Sequence, residues 1–348
     1  MKLQYNVSLA GYTSLRAGGL ARNLVEIEYG DKLKEVVANS QKPVWVLGYG
    51  TNVLISDKGL SGTVIFNQVG NIEVLSNGQI RATSGANWDE LVQTAIAHNL
   101  WGIEFTSGIP GGVGAAIAGD IAAYGQRIAD SFVQATILDS GSGTIAIWDK
   151  SKFGFDYRSS YLQRPENSQM VILDATFQLS STPTCDLEYD SAQRMAEELG
   201  IKPDTLQNRR KIIVETRRRA GSLLIDNTIG PWTAGSFFKN PLVNENQVQT
   251  ILSYEETGVS REQLLRQNVI HGGNQARVSA AHVLLAAGFA RGQTWGNVRL
   301  HPSHILKIEN IGNASAQEIY NVVQLIIQTV QQKLNITLEP EVRILGEF

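Results

Sequence analysis

Cysteine is almost absent. A single thiol, Cys185, in 348 residues excludes an internal disulfide framework and any zinc or iron–sulfur site built on several cysteines. Histidine is scarce as well, and of the five only His301 and His304 lie near one another, so no spaced metal-ligand set emerges. Charge of either sign is not in excess. Thirty basic against thirty-three acidic residues leave a net charge of −3, which excludes the strongly basic surface that coats nucleic acid but leaves room for a local anion pocket. No run approaches the ~18 uninterrupted apolar residues of a membrane span. The segment Val113–Ile121 is broken by glycine and holds Asp120. The opening stretch MKLQYNVSLAGYTSLRAGG has no apolar core of signal-peptide length, so a cytoplasmic protein without membrane insertion is expected. Any catalysis must rest on ordinary side chains or an organic cofactor.

What is present is an ordinary globular mixture, 43% hydrophobic and 18% charged, long enough for two to three domains of ~150 residues. The early strand-like runs are Leu24–Tyr29 and Val44–Gly50. Between them DKLKEVVANS reads as a short helix, an opening βαβ-like unit. GTVIF, IEVLS and IRATSG follow as closely spaced strands. From Asn87 to His98, Trp88, Leu91, Val92, Ala95 and Ile96 share one helical face behind an Asn87 N-cap. FVQATILD and GTIAIWD predict a hairpin across Ser140–Gly143, and MVILDATFQL a further strand. STPTCD breaks the pattern. Two helices are predicted near Ser191–Leu199 and Thr205–Arg219, where the composition turns polar and basic. Ser315 and Glu318 form a capping box for a helix with Ile319, Val322, Val323, Ile326, Ile327 and Val330 on one face, and EVRIL closes the chain as a strand. An α+β protein of two unequal parts results, with its main boundary within residues 183–205.

Five segments stand out chemically. LGYGTNVLISD ends a strand in Gly-X-Gly-Thr-Asn, which serves equally as a tight turn or as a cradle of backbone N–H groups for phosphate. It lacks the third glycine and following helix of a dinucleotide fingerprint. SGIPGGVGAAIAGDIAAYG, with six glycines, permits close approach of another backbone or a ligand; paired with the first segment, it favours a dinucleotide site. At Asp156–Ser160, Arg158 sits among residues able to hold it still, against the ordinary alternative of a solvated charge. AGSFFKNP offers Ser236 between Gly235 and two phenylalanines, without the GxSxG surround of a hydrolase. EPEVRILG alternates Glu339, Glu341 and Arg343, a pattern also expected of a solvent-facing strand.

Taken in order, TSLRAGG, LGYGTNVLISD, SGIPGGVGAAIAGDIAAYG, Tyr-Arg-Ser-Ser, AGSFFKNP and LEPEVRILG resemble the UDP-N-acetylenolpyruvoylglucosamine reductase (MurB) family of flavoenzymes from Thr13 to Gly346. The resemblance implies a PCMH/vanillyl-alcohol-oxidase-type FAD-binding fold of two α+β subdomains, about 1–70 and 71–185, followed by an α+β substrate-binding domain over 186–348. It implies non-covalent FAD, NADPH as hydride donor, UDP-N-acetylglucosamine enolpyruvate as substrate and a monomer acting in peptidoglycan precursor synthesis. In such a reductase hydride passes from flavin N5 to C3 of the substrate and a proton to C2. Arg158 then matches the arginine holding the substrate carboxylate, Glu341 the glutamate that polarises it, and Ser236 the proton donor. A serine hydroxyl is a poor acid, so its proton loss must be coupled to Lys239, water or Glu341.

FAD contacts carry over to Gly48, Gly50, Thr51, Asn52, Gly108, Ile109, Gly111, Gly114 and Tyr124, with backbone N–H groups expected on the pyrophosphate. Substrate contacts carry over to Tyr189, Arg217, Arg219, Lys239 and Asn240. The chain departs from the family at Gly119-Asp120, at Ala122, and at Ala220, where many relatives have lysine; Arg217 or Arg219 is expected to take over its diphosphate contact. Another flavoprotein of the same fold, or a non-catalytic UDP-sugar or flavin binder, is the alternative that the Arg158, Ser236 and Glu341 set argues against.

Overall fold

The computed structural model describes residues 2–27, 32–68, 70–223, 232–254, 260–262 and 276–348. Residues 28–29 of the strand expected over 24–29, and Asp31 at the head of the helix expected next, lie outside the described residues. Backbone packing separates the chain into two units. The first comprises Met1–Val7, Ala21–Gly50 and Ser61–Ile225, and the second Ser8–Leu20, Thr51–Leu60 and Asp226–Phe348.

In the first unit β-branched and aromatic runs form two sheets. A four-stranded sheet has the order Lys2–Ser8, Leu20–Glu26, Leu60–Phe66, Val44–Leu47, its last pair being parallel. The helix Leu33–Asn39 does connect two strands of this sheet, as expected, but those strands are not neighbours. Leu60–Phe66 lies between them because Thr63, Val64 and Ile65 are buried in succession, the mark of a central strand covered on both faces. The second sheet is antiparallel throughout, in the order Ile145–Asp149, Phe132–Asp139, Met170–Gln178, Gln79–Thr83, Ile72–Val74. The expected hairpin is its outer edge. The helix Trp88–Ala97 starts where Asn87 accepts the Glu90 N–H at 3.1 Å, and it buries Trp88, Leu91, Val92, Ala95 and Ile96 in a core shared with Ile172, Ala175 and Phe177.

Helices Asp190–Leu199 and Leu206–Arg219 also belong to this unit, so the chain divides near 225 and not at 185–186. The reason is electrostatic as well as apolar. Ile212 and Ile213 pack with Phe105, while two arginines of the polar, basic helix turn inward. Arg209, 4% exposed, meets the fully buried Glu104 at 2.9 Å and donates to the carbonyls of Cys185 and Pro203. Arg210 grips Asp89 through both carboxylate oxygens at 2.7 Å. Composition alone reads such a run as solvated surface.

The second unit contains a four-stranded sheet in the order Trp232–Ser236, Lys307–Asn310, Val298–Leu300, Thr294–Trp295. The capping box of Ser315 and Glu318 opens the helix Ala316–Leu334, whose Ile319, Val322, Val323, Ile326 and Val330 are buried with Phe237, Phe238 and Ile308; Ile327 is partly buried beside them. The final strand, Arg343–Leu345, pairs in parallel with Val53–Ile55. Among the described residues no helix is long and apolar enough to cross a membrane.

Glu104→Ala should cost about 3–5 kcal/mol in urea unfolding, because it leaves the Arg209 charge buried without its carboxylate. Replacing both residues with leucine and methionine should recover most of that loss. A single-variant cost below ~1 kcal/mol would mean that solvent reaches and screens the pair.

Candidate active site

Two glycine segments meet in the first unit. The strand Val44–Leu47 runs into Gly48-Tyr49-Gly50, with Gly50 at φ 60°. The second segment turns through Gly108–Gly112 into the short helix Val113–Ala118. Backbone packs against backbone here. A Cβ on Gly114 would come within 2.8 Å of the Ser84 Cβ, and one on Gly112 within 3.2 Å of the Ser84 carbonyl and 3.5 Å of the Tyr49 ring. A Cβ on Gly48 would lie 3.8 Å from the Gly112 nitrogen, an ordinary van der Waals distance. Beside these loops Asn67 is buried, its Nδ2 donating to Ser84 Oγ at 3.3 Å, while its Oδ1 has no hydrogen-bond partner among the described residues. A glycine-walled cradle with an orphaned acceptor fits a ligand carrying hydroxyl or amino donors, as a dinucleotide does.

Not every expected N–H is available to such a ligand. Gly108 donates to Asp89 Oδ1 at 2.6 Å, Ile109 to the Thr106 carbonyl at 3.2 Å and Gly114 to the Ser84 carbonyl at 2.9 Å. The loop shape itself uses these three donors, so the pyrophosphate contact expected of them is not open to them. Asp89, in the first turn of the helix Trp88–Ala97, was not among the expected site residues. Burial pushes its carboxyl up, but Arg210, the Gly108 N–H and Gln93 together hold it below the ordinary range. It thus moors the second glycine loop to the helix Leu206–Arg219.

Arg217, from that same helix, reaches the loop too, with Nε 3.3 Å from the Gly108 carbonyl and Nη2 3.0 Å from that of Ser222. Burial lowers its pKa, with Tyr124 and Asp89 opposing. Arg219 faces elsewhere and pairs with Glu198 at an exposed position. Of the two arginines expected to serve a diphosphate, only Arg217 touches the glycine loop. Tyr124 occupies a two-residue turn between Ala122–Ala123 and Gln126–Arg127 at φ 49°, with Gly125 at φ 91°. Burial raises its phenol pKa, partly offset by Arg217. Its ring meets that of Tyr189, the residue before helix Asp190–Leu199, edge-on at 5.4 Å. Tyr124, Tyr189, Arg217 and Gly108, far apart in sequence, therefore form one neighbourhood.

Arg158 is half-buried in a turn closed by reciprocal 3.0 Å hydrogen bonds between Asp156 and Ser159. Its φ of 52° at the third position is one that side chains other than glycine and asparagine seldom adopt. The Ser160 hydroxyl, donating to the Ala118 carbonyl at 2.7 Å, ties this turn to the end of the second glycine segment. Asp120, at the departure from the family pattern, is buried and ion-paired with Arg127 at 2.5 Å; burial raises its pKa while Arg127 and Arg158 oppose.

Ser236 and Glu341 are brought together within the second unit. The Glu341 N–H donates to the Phe237 carbonyl at 2.8 Å, and the Lys239 N–H to the Glu339 carbonyl at 2.9 Å. Asn52 joins them, its side chain donating to the Glu341 carbonyl at 3.3 Å and its own carbonyl accepting from the Arg343 N–H at 3.0 Å. Thr51, Asn52, Ser236 and Glu341 thus belong to the unit that does not hold Gly48 and Gly50. Lys239 forms an ion pair with Glu339 at 3.5 Å, and Asn240 Oδ1 accepts the Ala280 N–H at 2.9 Å at the head of the helix Ala280–Ala286. Along the expected alternation Glu339 and Arg343 are exposed and Glu341 is half-buried.

A glycine cradle on an α+β frame suits a dinucleotide, and residues 11–147 match the FAD binding domain family, which places the chain among the flavin-binding proteins. Residues 227–345 match the C-terminal domain of UDP-N-acetylenolpyruvoylglucosamine reductase. Reductases of that name from Mycolicibacterium gilvum and Cutibacterium acnes are 30% and 32% identical to this chain, each covering 98% of it, while it covers 95% and 90% of them. The crystal structure of MurB from Thermus caldophilus superposes with a TM-score of 0.60 at 22% identity, covering 99% of this chain and 100% of its own. The chain belongs to the UDP-N-acetylenolpyruvoylglucosamine reductase family and is an FAD flavoenzyme.

Gly114→Ala should lower retained FAD several-fold, since its methyl displaces Ser84 and opens the cradle, while the protein still folds. Flavin absorbance per mole of purified protein measures this, and full flavin content would remove Gly114 from the FAD site.

Proposed function

We propose that the enzyme reduces UDP-N-acetylglucosamine enolpyruvate to UDP-N-acetylmuramate at the expense of NADPH, as a cytoplasmic monomer. FAD, when bound, supplies the hydride that is added to C3. Gly48, Gly50, Thr51, Asn52, Gly108, Ile109, Gly111, Gly114 and Tyr124 hold the cofactor, the glycines by allowing close approach and not all by N–H donation. Tyr189, Arg217, Arg219, Lys239 and Asn240 are the substrate contacts. Arg217, tied to the Gly108 loop beside Tyr124, suits the diphosphate better than Arg219, whose charge is engaged by exposed Glu198.

Hydride addition at C3 leaves C2 electron-rich and its carboxylate more negative. Arg158 grips that carboxylate with a planar fork, and Glu341 polarises it. The Ser236 hydroxyl gives its proton to C2. The observation that supports this reading is the 2.8 Å backbone bond from the Glu341 N–H to the Phe237 carbonyl, which ties the segment after Ser236 to the final acidic motif. The left-handed backbone at Arg158 supports it, because such strain persists where the surroundings hold a residue for a task.

In an anaerobic cuvette NADPH should bleach the flavin, and the enolpyruvyl nucleotide should restore its colour. No reoxidation by that nucleotide would dismiss the substrate assignment. In Ser236→Ala the bleaching half should run at near-normal speed and the reoxidation half should slow by ~10²-fold or more, the scale of a lost general acid. Stopped-flow absorbance with deuterium incorporation at C2 reads both, and equal slowing of the two halves would make Ser236 a structural turn residue.

A further inference from the structure

The strand Lys307–Asn310 is buried along its whole length, with Lys307 2% exposed and Glu309 1%. Ile308, between them, enters the apolar core with the helix Ala316–Leu334, so Lys307 and Glu309 face the opposite side of the sheet. That side is polar. Arg299 stands directly opposite Glu309 on one neighbouring strand and Thr233 on the other, and Ser236 stands directly opposite Lys307.

A register shift between Thr233 and Ser236 decides this placement. Three positions separate them on one strand and two separate Glu309 from Lys307 on the other. Without the shift Ser236 would project to the apolar face. The bulge at Ala234-Gly235, with Gly235 at φ 81°, turns it onto the polar face beside Lys307. Directly opposite side chains in an antiparallel pair start ~5 Å apart and share a face.

We propose that Lys307 is the positioning residue of the Ser236 hydroxyl, its ammonium stabilising from across the strand pair the alkoxide left when the Ser236 proton goes to C2. The inference rests on the reading of Ser236 as the proton donor. In the step the Ser236 O–H bond breaks and the C2–H bond forms. Lys307 returns a proton to the oxygen and is itself reprotonated from water. Lysine is rarely so deeply buried, and an apolar residue at this position would cost the core less.

The charges around Lys307 favour that role. Glu309, on its own strand, is held by Arg299 through contacts of 2.7 and 2.9 Å and approached by His301 Nε2 at 3.7 Å. His301 Nδ1 accepts the N–H groups of Ser303 and His304, which leaves its proton on Nε2, facing Glu309. Burial, aided by the Lys307 charge, drives His304 down to about 4, and burial lowers His301 despite Glu309. Both imidazoles are therefore neutral near pH 7. Among the described residues this face carries Glu309 with the cations Arg299 and Lys307, and a cation directly across the strand pair favours an anionic oxygen at position 236.

The direct test places a reporter thiol at the site. In a Cys185→Ser background, Ser236→Cys gives one cysteine, whose pKa is read from the pH dependence of its alkylation. It should lie at least ~1 unit below the ordinary ~8.5, rise by ~1 unit or more when Lys307→Met is added, and stay low with Lys307→Arg. Equal values with lysine and methionine would overturn the proposal. With Ser236 intact, Lys307→Met should slow reoxidation by substrate ~10-fold, leave flavin reduction unchanged, and be rescued by arginine. Added to Ser236→Ala it should cost nothing more. Equal slowing of both halves would overturn the inference by making Lys307 merely structural. Normal reoxidation in Ser236→Ala would instead reject the parent reading of Ser236, while the thiol titration still decides whether Lys307 acts at position 236.

Discussion

The second unit depends on one pairing of distant strands. Val53–Ile55 lies parallel to Arg343–Leu345, joining Asn52 to Glu341 across 289 residues of chain. Closing a loop of that length is entropically costly, so the pairing forms only when a large apolar interface forms with it. That interface is supplied by the helix Ala316–Leu334. Its first turn is anchored by the same segment, since Asp57 accepts the N–H groups of Ala316 and Gln317 at 3.0 and 2.8 Å. A carboxylate at a helix N-terminus satisfies orphan donors and complements the dipole. The result is that the residues after the first glycine motif, the strand bearing Ser236 and the final acidic motif share one framework.

The first unit is organised by a different device, the inward turning of arginines. Arg209, Arg210 and Arg217 lie on one helix and reach Glu104, Asp89 and the Gly108 carbonyl respectively. Each contact fixes a part of the segment around the second glycine motif. Arg209 also lies 4.9 Å from the rings of Trp101 and Phe105, where its charge faces aromatic surface. Rigid support of this kind keeps a glycine-rich loop, which has little side-chain packing of its own, in a single shape.

Both units use strained or irregular backbone where chemistry is assigned. Arg158 and Tyr124 take left-handed φ values, and Ser236 follows a bulge. These features re-aim single side chains without altering the sheets around them. A regular strand would have carried Ser236 to the apolar side, away from Lys307.

Local physics made much of this legible in the sequence. The Asn87 cap with its apolar stripe, the Ser315 and Glu318 box and the Phe132–Asp149 hairpin depend on neighbours a few residues apart, and each forms as its pattern requires. The collinear glycine, serine and glutamate motifs identified the family, because their order is a property of the chain. Three features were settled only by tertiary structure. The division near 225, not at 185, follows from salt bridges to acids ~100 residues away, which make a basic helix an interior one. The N–H groups of Gly108, Ile109 and Gly114 were used to build the loop they were expected to offer. Nothing in the sequence singled out Lys307 or Asp89, since a lone charged residue carries no local sign of what will stand opposite it. Periodicity fixes which way a side chain points along its own element; only strand register and packing decide which distant group it meets.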